Sequence, residues 1–167
     1  LYSSAASDVY KRQALITLNV IDGYTSENAI LVIDSKFSSI TNNTIEGGEH
    51  GIKVQNSTNI FVYNNTIEDN SAHGIYLLLG SHSGNVKYNT IKNNEDDAIS
   101  IQSSDNTEVI GNTITDNDGY GILAGSSKLI EFKNNTLKEN DGGVKYVDCD
   151  YCNLTSMTIV DNGGRGI

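Results

Sequence analysis

Over most of the chain, apolar residues alternate with other positions in runs of three to five and then give way to a polar turn. Between residues 52 and 67 the apolar set is Ile52, Val54, Ile60, Val62 and Ile67, and the intervening positions carry Lys53, Gln55, Phe61 and Tyr63. A period of two sends successive side chains to opposite faces of a strand. Each such unit therefore predicts three short strands, buried on one face and separated by polar turns. No segment of ten or more residues keeps helical spacing, so no helix longer than about a turn is expected.

The unit repeats. Asn-Thr-Ile stands at Asn43, Asn65, Asn89 and Asn112, followed by Asn135-Thr136-Leu137 and Met157-Thr158-Ile159, in steps of 22, 24, 23, 23 and 22. A small residue followed by an aliphatic one starts at Ala29, Gly51, Gly74, Ala98, Gly121, Gly143 and Gly166, in steps of 22, 23, 24, 23, 22 and 23. Two independent landmarks on one period define a solenoid. A leucine-rich repeat would need Leu where this chain has Ile and Val. The hexapeptide helix has a shorter period, and the Gly-Gly-x-Gly-x-Asp calcium nonapeptide is absent. Unequal turns and a rung of 22–24 residues fit an all-β fold, the right-handed parallel β-helix, with three parallel sheets and six complete rungs over 30–166. The longest rung has one extra residue between Ile75 and Ile91, which predicts a bulge near Gly80 to Gly84.

Stacking places equivalent residues about 4.7–4.9 Å apart, so like side chains form ladders. Ile45, Ile67, Ile91, Ile114, Leu137 and Ile159 predict an interior column, each worth about 1.5–3 kcal/mol when fully buried. Asn43, Asn65, Asn89, Asn112 and Asn135 predict an amide ladder, because an amide both donates and accepts. Gly48, Asn70, Asn94, Asn117, Asn140 and Asn162 form a third column, read as a bend where Asn and Gly tolerate left-handed backbone. These columns take 10 of the 21 Asn residues in a chain without Pro or Trp.

Ser3 to Gln13 resembles a sequencing adapter translated in frame, so residues 1–13 are set aside as an artefactual, disordered segment and 14–167 as the helical domain, cut at both ends. Removing Lys11, Arg12 and Asp8 leaves 9 basic against 20 acidic residues, changing the net charge from −10 to −11. An acidic surface without a basic patch excludes nucleic acid as a partner. Leu77-Leu78-Leu79 is the longest Leu run, far short of a membrane span. The exposed end of the last rung is expected to promote end-to-end association.

The Asn-Asn-Thr-Ile motif, followed by Asn and then Gly-Ile, resembles the NosD-like and pectate-lyase-like right-handed β-helix repeat families over residues 15–167. That resemblance implies a secreted, periplasmic or cell-surface protein with polysaccharide as the commonest ligand. The fold alone does not set an activity. Asp96-Asp97-Ala98-Ile99 is similar to one polygalacturonase rung, but the flanking Asp, Gly-His-Gly and Arg-Ile-Lys elements are missing. Tyr120-Gly121 shares two positions with the mannuronan-epimerase motif. Arg165 is the one Arg outside the adapter-like segment, where pectate lyases need an Arg base. Cys149 and Cys152 allow at most one disulfide; they lack the second pair of a structural zinc site, and Cys152 falls in register with Ile60 and Ile130, so a buried core thiol is favoured over a ligand. Asn42, Asn64 and Asn134 head glycosylation sequons that the repeat itself generates.

One turn column carries candidate chemistry: Asn28, His50, His73, Asp97, Tyr120, Gly142 and Arg165, preceded by Glu49, Ala72, Asp96, Gly119 and Asp141. Beside it the outward positions are Lys53, Tyr76, Ser100 and Leu123, then Gln55, Leu78 and Gln102. His50, His73, Tyr76, Tyr120, Lys53 and Gln55 are the candidate sugar-binding set, with the two imidazoles expected about 5 Å apart at the backbone. Asp96 or Asp97, facing Asp118, is the candidate acid–base pair of a lyase, hydrolase or epimerase. The competing reading is that of ordinary solvated turn residues. A non-catalytic role, polysaccharide binding or a structural stalk, is favoured over catalysis, with NosD-like copper delivery third. No metal ligands are assigned, and a divalent cation bridging the acidic strip to a polyanion is the one cofactor considered.

Overall fold

The computed structural model describes residues 13–22, 26–164 and 166–167. The adapter-like residues 1–12 and Arg165 lie outside the described residues. The chain winds through three parallel sheets, visiting each once per turn. Sheet I has seven strands, from Leu15–Thr17 through Ser39–Thr41 and Phe61–Tyr63 to Asn153–Thr155. Sheet II also has seven, from Val20–Asp22 through Thr66–Glu68 to Thr158–Val160. Sheet III has six: Ile30–Ile33, Ile52–Gln55, Ile75–Leu78, Ile99–Gln102, Tyr120–Lys128 and Gly142–Asp150. Six complete rungs result, and no helix occurs among the described residues.

Register follows the repeat residue for residue. Ile45 pairs with Ile67, Ile67 with Ile91, Ile91 with Ile114, and Ile114 with Leu137. These side chains are fully buried, as are Ile52, Val54 and Val62, whereas Phe61 and Tyr63 are each 46% exposed. The period-two pattern thus sorts inside from outside.

The turns explain the polar columns. The backbone N–H and the Nδ2 of Asn89 both donate to Oδ1 of Asn112, at 2.9 and 3.0 Å, and Nδ2 also donates to the Val62 carbonyl. Asn43, Asn65 and Asn112 do likewise. The column from Asn70 to Asn162 is built in the same way, so its Asn residues serve hydrogen bonding. The left-handed backbone expected there falls one residue earlier, on Asp69, Asn93, Asp116, Glu139 and Asp161. A serine ladder not anticipated from the sequence lines the turn after sheet III, where the Ser57, Ser81 and Ser104 amides donate to the Oγ atoms of Ser81, Ser104 and Ser127.

The extra residue sits where the spacing puts it. Leu79 and Gly80 both have positive φ, 52° and 82°, and Ser81 regains the serine register. The strands beyond keep their pairing, with Asn85 opposite Phe61. One cysteine expectation is corrected. Cys149 and Cys152 are joined in a disulfide, with Cα atoms 5.9 Å apart. Both still pack against the core, because Cys152 follows the Ile60–Ile130 column, but at half-buried positions where the turn brings the two sulfurs together.

Candidate functional site

Sheet III and the turn that leads into it hold the site. Its outward ladder runs Leu31, Lys53, Tyr76, Ser100, Leu123 and Lys145, one residue per rung. Lys53 Nζ lies 5.8 Å from the Tyr76 ring centroid, and Lys145 Nζ lies 5.0 Å from that of Tyr120. Ser100, read from the sequence as part of the outer face, is buried. A hydroxymethyl between two larger ladder neighbours, Tyr76 and Leu123, is shaded by them.

The column beside this ladder is more enclosed than a solvated turn. His50 is 7% exposed and Asp97 4%. The His50 and His73 rings stack with centroids 5.2 Å apart and planes 12° from parallel. Tyr76 presents an edge contact to both, at 5.2 and 4.7 Å. The His73 backbone N–H donates to Nδ1 of His50 at 3.2 Å. That bond requires an unprotonated Nδ1, so His50 is neutral. Burial, with Lys53 and His73 adding repulsion, lowers its pKa from 6.5 to about 4.

Asp96 and Asp97 each commit one oxygen to backbone. Oδ1 of Asp96 accepts the Asp97 N–H at 2.9 Å, and Oδ1 of Asp97 accepts the Tyr120 N–H at 2.8 Å. Their Oδ2 atoms lie 3.5 and 3.8 Å from Nδ1 of His73. These separations exceed hydrogen-bond length, and His73 Nδ1 is buried without a hydrogen-bond partner. Burial raises the pKa of Asp97 against the opposing pull of the Tyr120 amide and His73.

His50, His73, Tyr76, Asp96, Asp97 and Tyr120 are therefore brought together, with Lys53 at one end of the ladder. Gln55 follows two positions along, paired with Leu78. Asp118 is carried by the same turn one rung on, where it lines an acidic groove with Asp116, Glu139, Asp141 and Asp161. Its amide donates to the Asn94 carbonyl, and its neighbour Gly119 packs against the Asp96–Asp97 peptide. Lys145 was missed by the sequence reading, although one further step along the Lys53–Leu123 ladder reaches it.

The family profile described as a right-handed β-helix region matches residues 3–137. The chain belongs to the right-handed β-helix family. No curated protein matches this β-helix in sequence. Among solved structures it is similar to the periplasmic alginate epimerase AlgG, with a TM-score of 0.64 and 19% identity over 78% of this chain and 43% of that one. It is also similar to the A-module of the Azotobacter vinelandii mannuronan C-5 epimerase AlgE6, with a TM-score of 0.63 and 12% identity over 90% and 56% of the two chains. The chain thus spans about half the length of these structures. At such identities the likeness is one of fold.

Proposed function

We propose that this β-helix is a polysaccharide-binding domain, acting outside the cytoplasm, whose glycan lies along the outward ladder of sheet III. The observation that carries the reading is the Lys53–Tyr76–Leu123–Lys145 ladder running beside His50, His73, Asp97 and Tyr120. The Tyr76 and Tyr120 rings suit the apolar faces of pyranose rings, and the flanking polar groups suit their hydroxyls. The ladder offers one outward position per rung at a regular strand spacing, which suits a polymer of like units. Two lysines along this ladder, on a chain of net charge −10, favour a polysaccharide that carries carboxylates. Alginate epimerases among the structural neighbours support the same ligand class. The Cys149–Cys152 disulfide supports an oxidising compartment, outside the cell or in the periplasm.

The His73–Asp97 contact supports one catalytic alternative, proton transfer at a sugar carbon, with Asp96 or Asp97 and the His73 imidazole as the acid–base pair. The test is a glycan array together with reducing-end and unsaturated-product assays. Binding of a uronate polymer that Tyr76→Ala and Lys145→Ala each weaken about tenfold, without turnover, is the expected result. Turnover lost in Asp97→Asn would move the assignment to the enzyme. Binding unchanged in both ladder variants would remove sheet III as the binding face.

A further inference from the structure

The separations around His73 fit a different partner better than a hydrogen bond. An ion held at 2.0–2.2 Å from nitrogen and oxygen donors in tetrahedral array sets its ligands about 3.4 Å apart. The Nδ1 to Oδ2 distances of 3.5 and 3.8 Å are those of two ligand pairs around a shared centre. One donor atom from each of His73, Asp96 and Asp97 lies within 4.8 Å of the other two. We propose that these three residues bind one divalent transition-metal ion, with Zn2+ as the representative species.

Three further observations support the site. The imidazole nitrogen facing the carboxylates is buried and has no hydrogen-bond partner. A buried polar nitrogen left in that condition costs stability, and coordination through its lone pair supplies the missing partner. The Asp97 side chain is only 6% exposed, and its Oδ2 turns toward that nitrogen. Finally, the ligands are oriented in advance. Each carboxylate is held through Oδ1 by a backbone N–H, and the His73 ring stacks on His50, which also accepts the His73 amide. Such supporting contacts fix ligand geometry in metal sites.

The donor set selects the ion. One imidazole with two carboxylates suits zinc and its first-row neighbours, whereas calcium takes six to eight oxygens. Asp96 is half exposed, so the site is open on its outer side. A fourth position there faces the ladder on which the glycan is proposed to lie, although metal binding does not depend on that reading.

The experiment is calorimetric titration of EDTA-treated, dialysed protein with Zn2+, alongside the visible spectrum of the Co2+ form. One ion per chain is expected, with cobalt bands indicating four or five ligands including nitrogen. His73→Gln, Asp96→Asn and Asp97→Asn should each weaken binding at least tenfold. Asp118→Asn, an acid of the same turn column that is not among the three donors, should leave it unchanged. Circular dichroism establishes that each variant is folded. Should a variant fail to fold, the cobalt spectrum of the parent still decides, since bands of six oxygen ligands would overturn the proposal. A stoichiometry well below one, or equal loss in Asp118→Asn, would overturn it too. Glycan binding measured with and without EDTA separates this result from that of the preceding section.

Discussion

Asn112 shows how much one side chain does in a stacked turn. Its Oδ1 accepts from the backbone and the side chain of Asn89, while its Nδ2 donates to Asn135 and to the Val86 carbonyl. Asn112→Ala strands several buried partners at about 1–3 kcal/mol each, so a loss of about 3 kcal/mol or more is expected in urea unfolding. Asn42 is the contrast, because it is exposed and its φ is 56°. Asn42→Ala should cost about 1 kcal/mol through backbone strain beyond the exposed bond that its Oδ1 accepts from Asn64, and Asn42→Gly only the loss of that bond. Titration gives a further residue-scale expectation. His50 has a folded pKa of about 4, below its ordinary 6.5. Its contribution is therefore complete above pH 6.5 and disappears as pH falls through about 4, a loss on the order of 3 kcal/mol. Asp97 runs the opposite way, since a raised carboxyl favours the fold at low pH and loses that contribution as pH rises through its folded value. Melting curves from pH 7 to 4 should fall more steeply for the parent than for His50→Gln. The repeated Asn positions were legible because each column recurs at a fixed step. The burial of Asp97 was not, because it depends on the turn folding back over the carboxylate.

At the scale of strands and turns, the spacing already carried the register. Counting from Ile75 to Ile91 placed the extra residue near Gly80, and the backbone accommodates it through two consecutive positive φ values at Leu79 and Gly80. Gly80→Ala should destabilise by about 1 kcal/mol, since alanine resists that conformation. The sequence left one bridge possible but favoured a core thiol, because register placed Cys152 at an apolar column while saying nothing of the turn that swings Cys149 toward it. Closing a loop this short contributes about 2 kcal/mol by the chain-entropy relation. Replacing both cysteines with serine should lower stability by that amount. Hydrogen exchange should show the loosening confined to Gly142–Asp150 and the strands beside it. Exchange that accelerates equally in Ile52–Gln55 would refute a local role.

Over the whole molecule, burial varies along one continuous column. Ile91 is fully enclosed, whereas Ile159 is only partly buried. Ile91→Ala is expected to cost about 2–5 kcal/mol and Ile159→Ala about half as much, a difference that denaturant titration resolves. Both amide ladders also share a direction. Every Nδ2 from Asn43 to Asn112, and from Asn70 to Asn140, donates to the residue one rung later in the chain. The molecule is thus a vector, with aligned dipoles that reinforce one another, and a rung inserted upside down would set donor against donor. A rung copied in the same sense meets matching partners on both sides. Lengthening by duplication therefore needs no redesign of the turns, and the same polarity forbids a hairpin reversal anywhere along the stack.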